Sequence, residues 1–141
     1  MTRQIICDGD TLVFLAAFGH RTITTLIDPA IIRGSGHATV NNKKMCVLGD
    51  ELKVKIKAQY TVPGHTPGVG VLCIAQVAND QKTPGIKGLP PLLVKGGYFD
   101  ASFMPTQPAM KSGTPPTPDP TTPTTGKGQF VPAQLFATAK G

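Results

Sequence analysis

Between residues 52 and 60 apolar and polar side chains alternate without a break: Leu52, Val54, Ile56, Ala58 and Tyr60 against Lys53, Lys55, Lys57 and Gln59. Successive side chains of a strand point to opposite faces, so this period of two predicts a strand with one apolar and one cationic face. Just upstream, Val40-Asn41-Asn42-Lys43-Lys44-Met45-Cys46-Val47-Leu48-Gly49-Asp50 reads as turn, short strand, turn, because Asn and Gly tolerate φ > 0. Turn, short strand, turn and amphipathic strand together write a compact all-β unit. The rest of the chain agrees. No long window carries apolar residues at helical spacing, and 16 glycines with 14 prolines in 141 residues disfavour helix throughout.

In chain order, Ile5-Ile6-Cys7 starts the apolar pattern and Asp8-Gly9-Asp10 turns it. Thr11 to Phe18 is apolar on both faces and short, which favours a buried strand. Thr22 to Ile27 is β-branched and reads as a strand, closed by Asp28-Pro29. Val62-Pro63-Gly64-His65-Thr66-Pro67-Gly68 predicts a rigid loop tip, and Val69 to Ala78 a central strand. Leu92 to Lys95 is a last short strand, and Tyr98, Phe99 and Phe103 supply aromatic bulk for a small core. These residues predict one all-β domain over 1–110. From Lys111 the composition changes to proline and threonine, so 111–128 reads as an extended, polyproline-like linker outside the core. Residues 129–141 are apolar again at Phe130, Val131, Leu135 and Phe136 and read as a docking segment or a disordered end.

The formal charge is +6 with a pI near 9.4, which serves solubility or an acidic partner. Three cysteines cannot close a disulfide set, so a reducing compartment or metal ligation is expected. Leu12 to Phe18 is too short to span a bilayer, and Asp8 and Asp10 precede it where a secretory signal needs positive charge. Synthesis in the cytoplasm without a signal peptide is the expectation. The eight acids are scattered, no Ser-His-Asp or Cys-His arrangement stands out, and no glycine-rich turn carries the Lys-Ser/Thr of a phosphate loop, so no enzyme is expected.

The stretch at 40–50 resembles the signature of PAAR and PAAR-like proteins, the sharpened tips of contractile injection spikes. That signature runs Val-Asn-Gly-Lys-Pro-Ala-Ala-Arg-x-Gly-Asp. Val40, Asn41, Lys43, Gly49 and Asp50 match in register, Asn42 stands for Gly, and Lys44-Met45-Cys46-Val47 stands for Pro-Ala-Ala-Arg. Gly34-Ser35 before a Thr-Val pair resembles the family's Gly-Ser-Pro-Thr-Val. Pro63 to Gly68 resembles its later His-Gly loop, Phe18-Gly19-His20 sits where an early one would, and Leu92 to Gly97 looks like a degenerate second copy of the Val-Asn-Gly turn. The resemblance covers residues 5–105. It implies a small β-cone of short strands and tight turns that caps and sharpens a trimeric central spike to aid membrane puncture. The machine would be a type VI secretion system, a phage tail or an extracellular contractile particle. The implied partner is a VgrG-like or phage spike, one tip per trimer, with possible effector cargo, transient contact with a target membrane, and no nucleic acid.

The resemblance also implies a structural zinc at the tip, held by three histidines and one cysteine. His20, His37 and His65 all lie beside glycine. His20 and His65 fall in the matching loops, whereas the segment holding His37 carries no ligand in the family pattern. For the thiolate, Cys73 follows the His65 loop, Cys46 takes an alanine position of the motif, and Cys7 lies before the first histidine loop. Cys73 is the choice. Free cysteine is also among the most buried residue types, which suits all three. A second reading, from a different class, is an oligonucleotide-binding β-barrel using Lys53, Lys55 and Lys57 for phosphates with Tyr60 as a stacking ring. Tyr60 on the opposite face to the lysines argues against it.

Overall fold

The computed structural model describes every residue except 1, 37, 41, 84–90, 114, 133–137 and 141. After β1 (Thr2–Gln4), the chain makes a first excursion through β2 (Thr11–Phe14), β3 (Ala17–Phe18) and β4 (Arg21–Leu26). A small hairpin follows, β5 (Thr39–Val40) and β6 (Lys43–Lys44), turned at Asn42, whose φ is 65°. The second excursion is β7 (Ile56–Thr61), β8 (His65–Thr66) and β9 (Gly68–Gln76). The third is β10 (Phe99–Gln107), β11 (Met110–Lys111), β12 (Thr117–Pro118) and β13 (Thr124–Val131), after which β14 (Thr138–Lys140) pairs with β1. The chain is all-β, as expected: helical structure among the described residues is two short 3₁₀ turns, Asp50–Lys53 and Asn79–Gln81.

The excursions form one antiparallel sheet in the order β2-β13-β10-β9-β7-β4-β3. Its two outer strands, β2 and β3, are a single run separated only by Leu15 and Ala16, so the sheet must curl until its edges meet. Leu15 N–H donates to the Lys127 carbonyl (2.8 Å) and Ile23 N–H to the Ala16 carbonyl (2.9 Å), which joins the two sides. The concave face holds the core. Leu12, Phe18, Ile56, Ala58, Tyr60, Leu72, Ile74, Phe99, Ala101, Phe103 and Phe130 are all buried there. The rings meet edge-on or tilted, Tyr60 on Phe103 at 5.0 Å and Phe99 on Phe130 at 5.1 Å. Space inside so tight a curl is short. A Cβ on Gly126 would lie 2.7 Å from the Phe18 ring, and one on Gly128 would lie 2.7 Å from Phe99.

Two sequence expectations change. The alternation from Leu52 holds from Val54 to Tyr60, with Val54, Ile56, Ala58 and Tyr60 buried and Lys55, Lys57 and Gln59 exposed. It does not begin the strand at Leu52. Gly49 sits at φ 110° and opens a 3₁₀ turn over Asp50–Lys53, leaving Leu52 62% exposed. Among the described residues from 111 the chain is extended, but 124–131 is not outside the core. It is β13, inserted between β2 and β10, and Phe130 is fully buried. A Pro/Thr composition buries little apolar side chain, yet the glycines at 126 and 128 let the Phe18 and Phe99 rings pass over the strand and pack against it.

Candidate docking ring and apex

All three excursions start and end at one place. There, three five-residue segments, centred on Ile6, Cys46 and Leu93, form a closed ring. Ile6 N–H donates to the Leu93 carbonyl (3.0 Å), Leu93 N–H to Cys46 (3.0 Å) and Cys46 N–H to Ile6 (2.8 Å). Two residues further out the cycle repeats: Asp8 N–H to Lys44 (2.7 Å), Leu48 N–H to Pro91 (2.8 Å) and Lys95 N–H to Gln4 (2.9 Å). Each segment therefore pairs antiparallel with one neighbour through its first half and with the other through its second half. Three residues after each centre comes a glycine with positive φ: Gly9 (85°), Gly49 (110°) and Gly96 (50°). In two segments an Asp follows and folds back, Asp10 onto Cys7 N–H (2.7 Å) and Asp50 onto Val47 N–H (2.9 Å). In the third, Gly97 stands there and Val94 N–H goes to the Gln81 carbonyl (3.0 Å) instead. Unrelated stretches of one chain thus make a pseudo-threefold element.

Strand alternation gives the ring two sides. Ile6, Cys46 and Leu93 point into the barrel core and are fully buried. Ile5, Cys7 and Val94 fall into a separate apolar cluster with Val40, Met45 and Leu92, on the side away from the barrel. Met45, Val47 and Leu92 are only half-buried there.

At the other end of the barrel the tips of the excursions gather on one carboxylate. Asp119, 1% exposed, receives Arg21 Nε (2.8 Å), Tyr60 Oη (2.8 Å) and, at its other oxygen, His20 Nε2 (2.7 Å). Arg21 comes from the first excursion, Tyr60 from the second and Asp119 from the third. The guanidinium has no exposed surface. It also donates to the carbonyls of Thr122 (2.7 Å) and Pro120 (2.5 Å) and to Thr124 Oγ1 (3.1 Å), and lies 5.6 Å from the Tyr60 ring centre. Tyr60 Oη accepts from Ala109 N–H (2.9 Å), and Asp119 N–H donates to the Ala109 carbonyl (2.7 Å). Burial would raise the Asp119 carboxyl, but the bonds from His20, Arg21 and Tyr60 outweigh it and hold the group below its usual range.

The family model of the contractile injection system spike tip protein matches residues 1–140. The chain belongs to that family. No curated protein matches it. As a spike tip it is a component of the central spike of a contractile injection system, in keeping with the PAAR-like signature at 40–50.

The spike tip does not assemble the expected zinc ligands from its described residues. His20 is bound to Asp119. His65 Nδ1 lies 3.0 Å from the carbonyl of Pro63 within its own loop. Cys73 is on the convex face of β9, five residues along from Gly68, about 16 Å towards the ring. Gly68 pairs with Tyr60 at the apex, so the strand carries Cys73 away from both histidines. His37 lies outside the described residues. Cys7 and Cys46 belong to the ring. Among the described residues no three His, Cys, Asp or Glu side chains come together to hold a metal ion, so these residues do not fit the zinc site that the resemblance implies. The lysines do not fit a nucleic-acid reading either. Lys55 and Lys57 are exposed on the convex face, Lys53 is in the 3₁₀ turn, and the Tyr60 ring is buried and cannot stack on a base. Arg21 and Asp119 were not singled out from the sequence. The one signal that bore on them was a lone acid inside a proline-threonine stretch, Pro118-Asp119-Pro120.

Proposed function

We propose that one copy of this protein caps the blunt end of a threefold spike, with the ring as its base. The observation that carries this is the closed cycle of hydrogen bonds through Ile6, Cys46 and Leu93. A trimer ends in three equivalent strand ends around an axis, and a single chain fits that axis only if it offers three equivalent surfaces. The ring supplies them. Its outward side offers the half-buried Met45, Val47 and Leu92 and the edges of short strands, the groups that join by apolar contact and strand addition. The barrel then projects forward and narrows the tip, which serves puncture of a target membrane. Cargo, where carried, travels with this cap. A VgrG-like trimer and a phage or extracellular-particle spike both have the required symmetry. No part of this reading runs through a metal.

A charge on the outward side of the ring tests it. Val47→Glu places a carboxylate against an apolar partner surface, and capture of the tip by its cognate spike is expected to fall by about a hundredfold, the effect of one unpaired buried charge. Unchanged capture would remove the ring from the interface.

A further inference from the structure

A narrow tip has little room for an apolar core, so something other than burial must hold its end shut. Here the end consists of three loops. A short sheet, β12-β11-β8, pairs the second with the third through Met110–Thr66 and Lys111–His65, and among the described residues the first loop is not part of that sheet. The third is the hardest to hold. Pro115, Pro116, Pro118, Pro120 and Pro123 remove backbone N–H donors along it, leaving mainly carbonyl acceptors. A guanidinium is the complement of such a segment, with five donors and no acceptor. Arg21 takes the carbonyls of Pro120 and Thr122, and Asp119 from the same segment balances its charge.

We propose that Asp119 is the cross-link of the apex: one buried carboxylate ties all three excursions together and makes a tip metal unnecessary. The three ties are Arg21 Nε and His20 Nε2 from the first excursion, Tyr60 Oη from the second, and the carboxylate itself, anchored through its own N–H to Ala109, from the third. Every hydrogen bond of the set is 2.5–3.1 Å. The cross-link turns the described residues of 111–124, which compose like a free linker, into a strap across the tip. This rests on the spike-tip reading only for which end leads; the closure itself is a property of the isolated chain.

The test is tryptic cleavage after the exposed Lys111, followed by mass spectrometry on the full chain, with and without a chelator. Cleavage there requires the strap to open. In Asp119→Asn, which keeps the shape and loses the charge, the cleavage rate is expected to rise about tenfold or more. Tyr60→Phe, which removes one hydroxyl, should give a smaller rise of a few-fold. It serves as the readout should the Asn variant not fold. Chelator should change neither the cleavage rate nor the melting temperature of the unaltered protein, and purified protein should carry far less than one metal per chain. Wild-type cleavage rates in the variants would overturn the proposal, as would a strap that opens on chelation. Neither outcome touches docking, which the ring substitution tests separately.

Discussion

Replacing Arg21 by Met removes the guanidinium and keeps most of the aliphatic bulk. The side chain has no exposed surface, and its loss leaves the carbonyls of Pro120 and Thr122 without their donor. Asp119, itself 1% exposed, keeps only Tyr60 and a His20 that is 47% exposed and screened by water. Breaking a buried pair on one side costs about 3–5 kcal/mol, because a charge stays behind uncompensated. A chain of this size has about 5–15 kcal/mol in all, so the loss is a large share of its stability. In melting temperature it corresponds to roughly 6–20 °C, at about 2–4 °C per kcal/mol. The assay is urea denaturation, extrapolated to water, beside a thermal melt. Arg21→Met with Asp119→Leu should cost less than the two single losses added together, since it removes the uncompensated charge while the Pro120 and Thr122 carbonyls still lack their donor and the Tyr60 hydroxyl its acceptor. A single-variant loss under about 1 kcal/mol, the range of a surface pair, would refute the reasoning, as would losses that simply add in the double variant.

Two further outcomes follow from the same structure. Because the Asp119 carboxyl is held below its usual range when folded, its contribution is present in full above the ordinary carboxylate range. It is lost as pH falls through the lowered value, so stability should drop steeply below about pH 4, and less steeply in Asp119→Asn. Burial pushes the thiols of Cys7, Cys46 and Cys73 up, Cys46 furthest with the charges of Asp50 and Asp10 adding to it. Alkylation at pH 8 should therefore be slow for all three until denaturant is added, with Cys73, the one half-exposed thiol, the first to react.

The all-β class was legible because one alternation, Val54 to Tyr60, is long enough to stand above noise, and because glycine and proline leave helices no room. The strand's start was not legible. Leu52 and Lys53 continue the alternation in letters, but the left-handed Gly49 and the Asp50 side chain on Val47 N–H set a 3₁₀ turn first. The ring was visible only as fragments, the two Gly-Asp pairs at 9–10 and 49–50. Each segment is about five residues, shorter than any periodicity window, and its partners lie in other excursions. The third segment, Leu92 to Gly97, resembles the Val-Asn-Gly turn in letters but not in place. It aligns with Gly9 and Gly49, through Gly96, rather than with Asn41-Asn42. The apex was hidden for a different reason. Arg21 and Asp119 are 98 positions apart, and composition scores side-chain apolarity, whereas this strap is held by its backbone carbonyls and one carboxylate.

The central claim is that three segments of one chain stand in for three subunits. Native mass spectrometry of the tip bound to its cognate trimeric spike measures that directly. One tip per three spike chains is the expected mass. A complex of three tips on three spike chains would mean that the ring does not sit on the threefold axis, and would contradict the account.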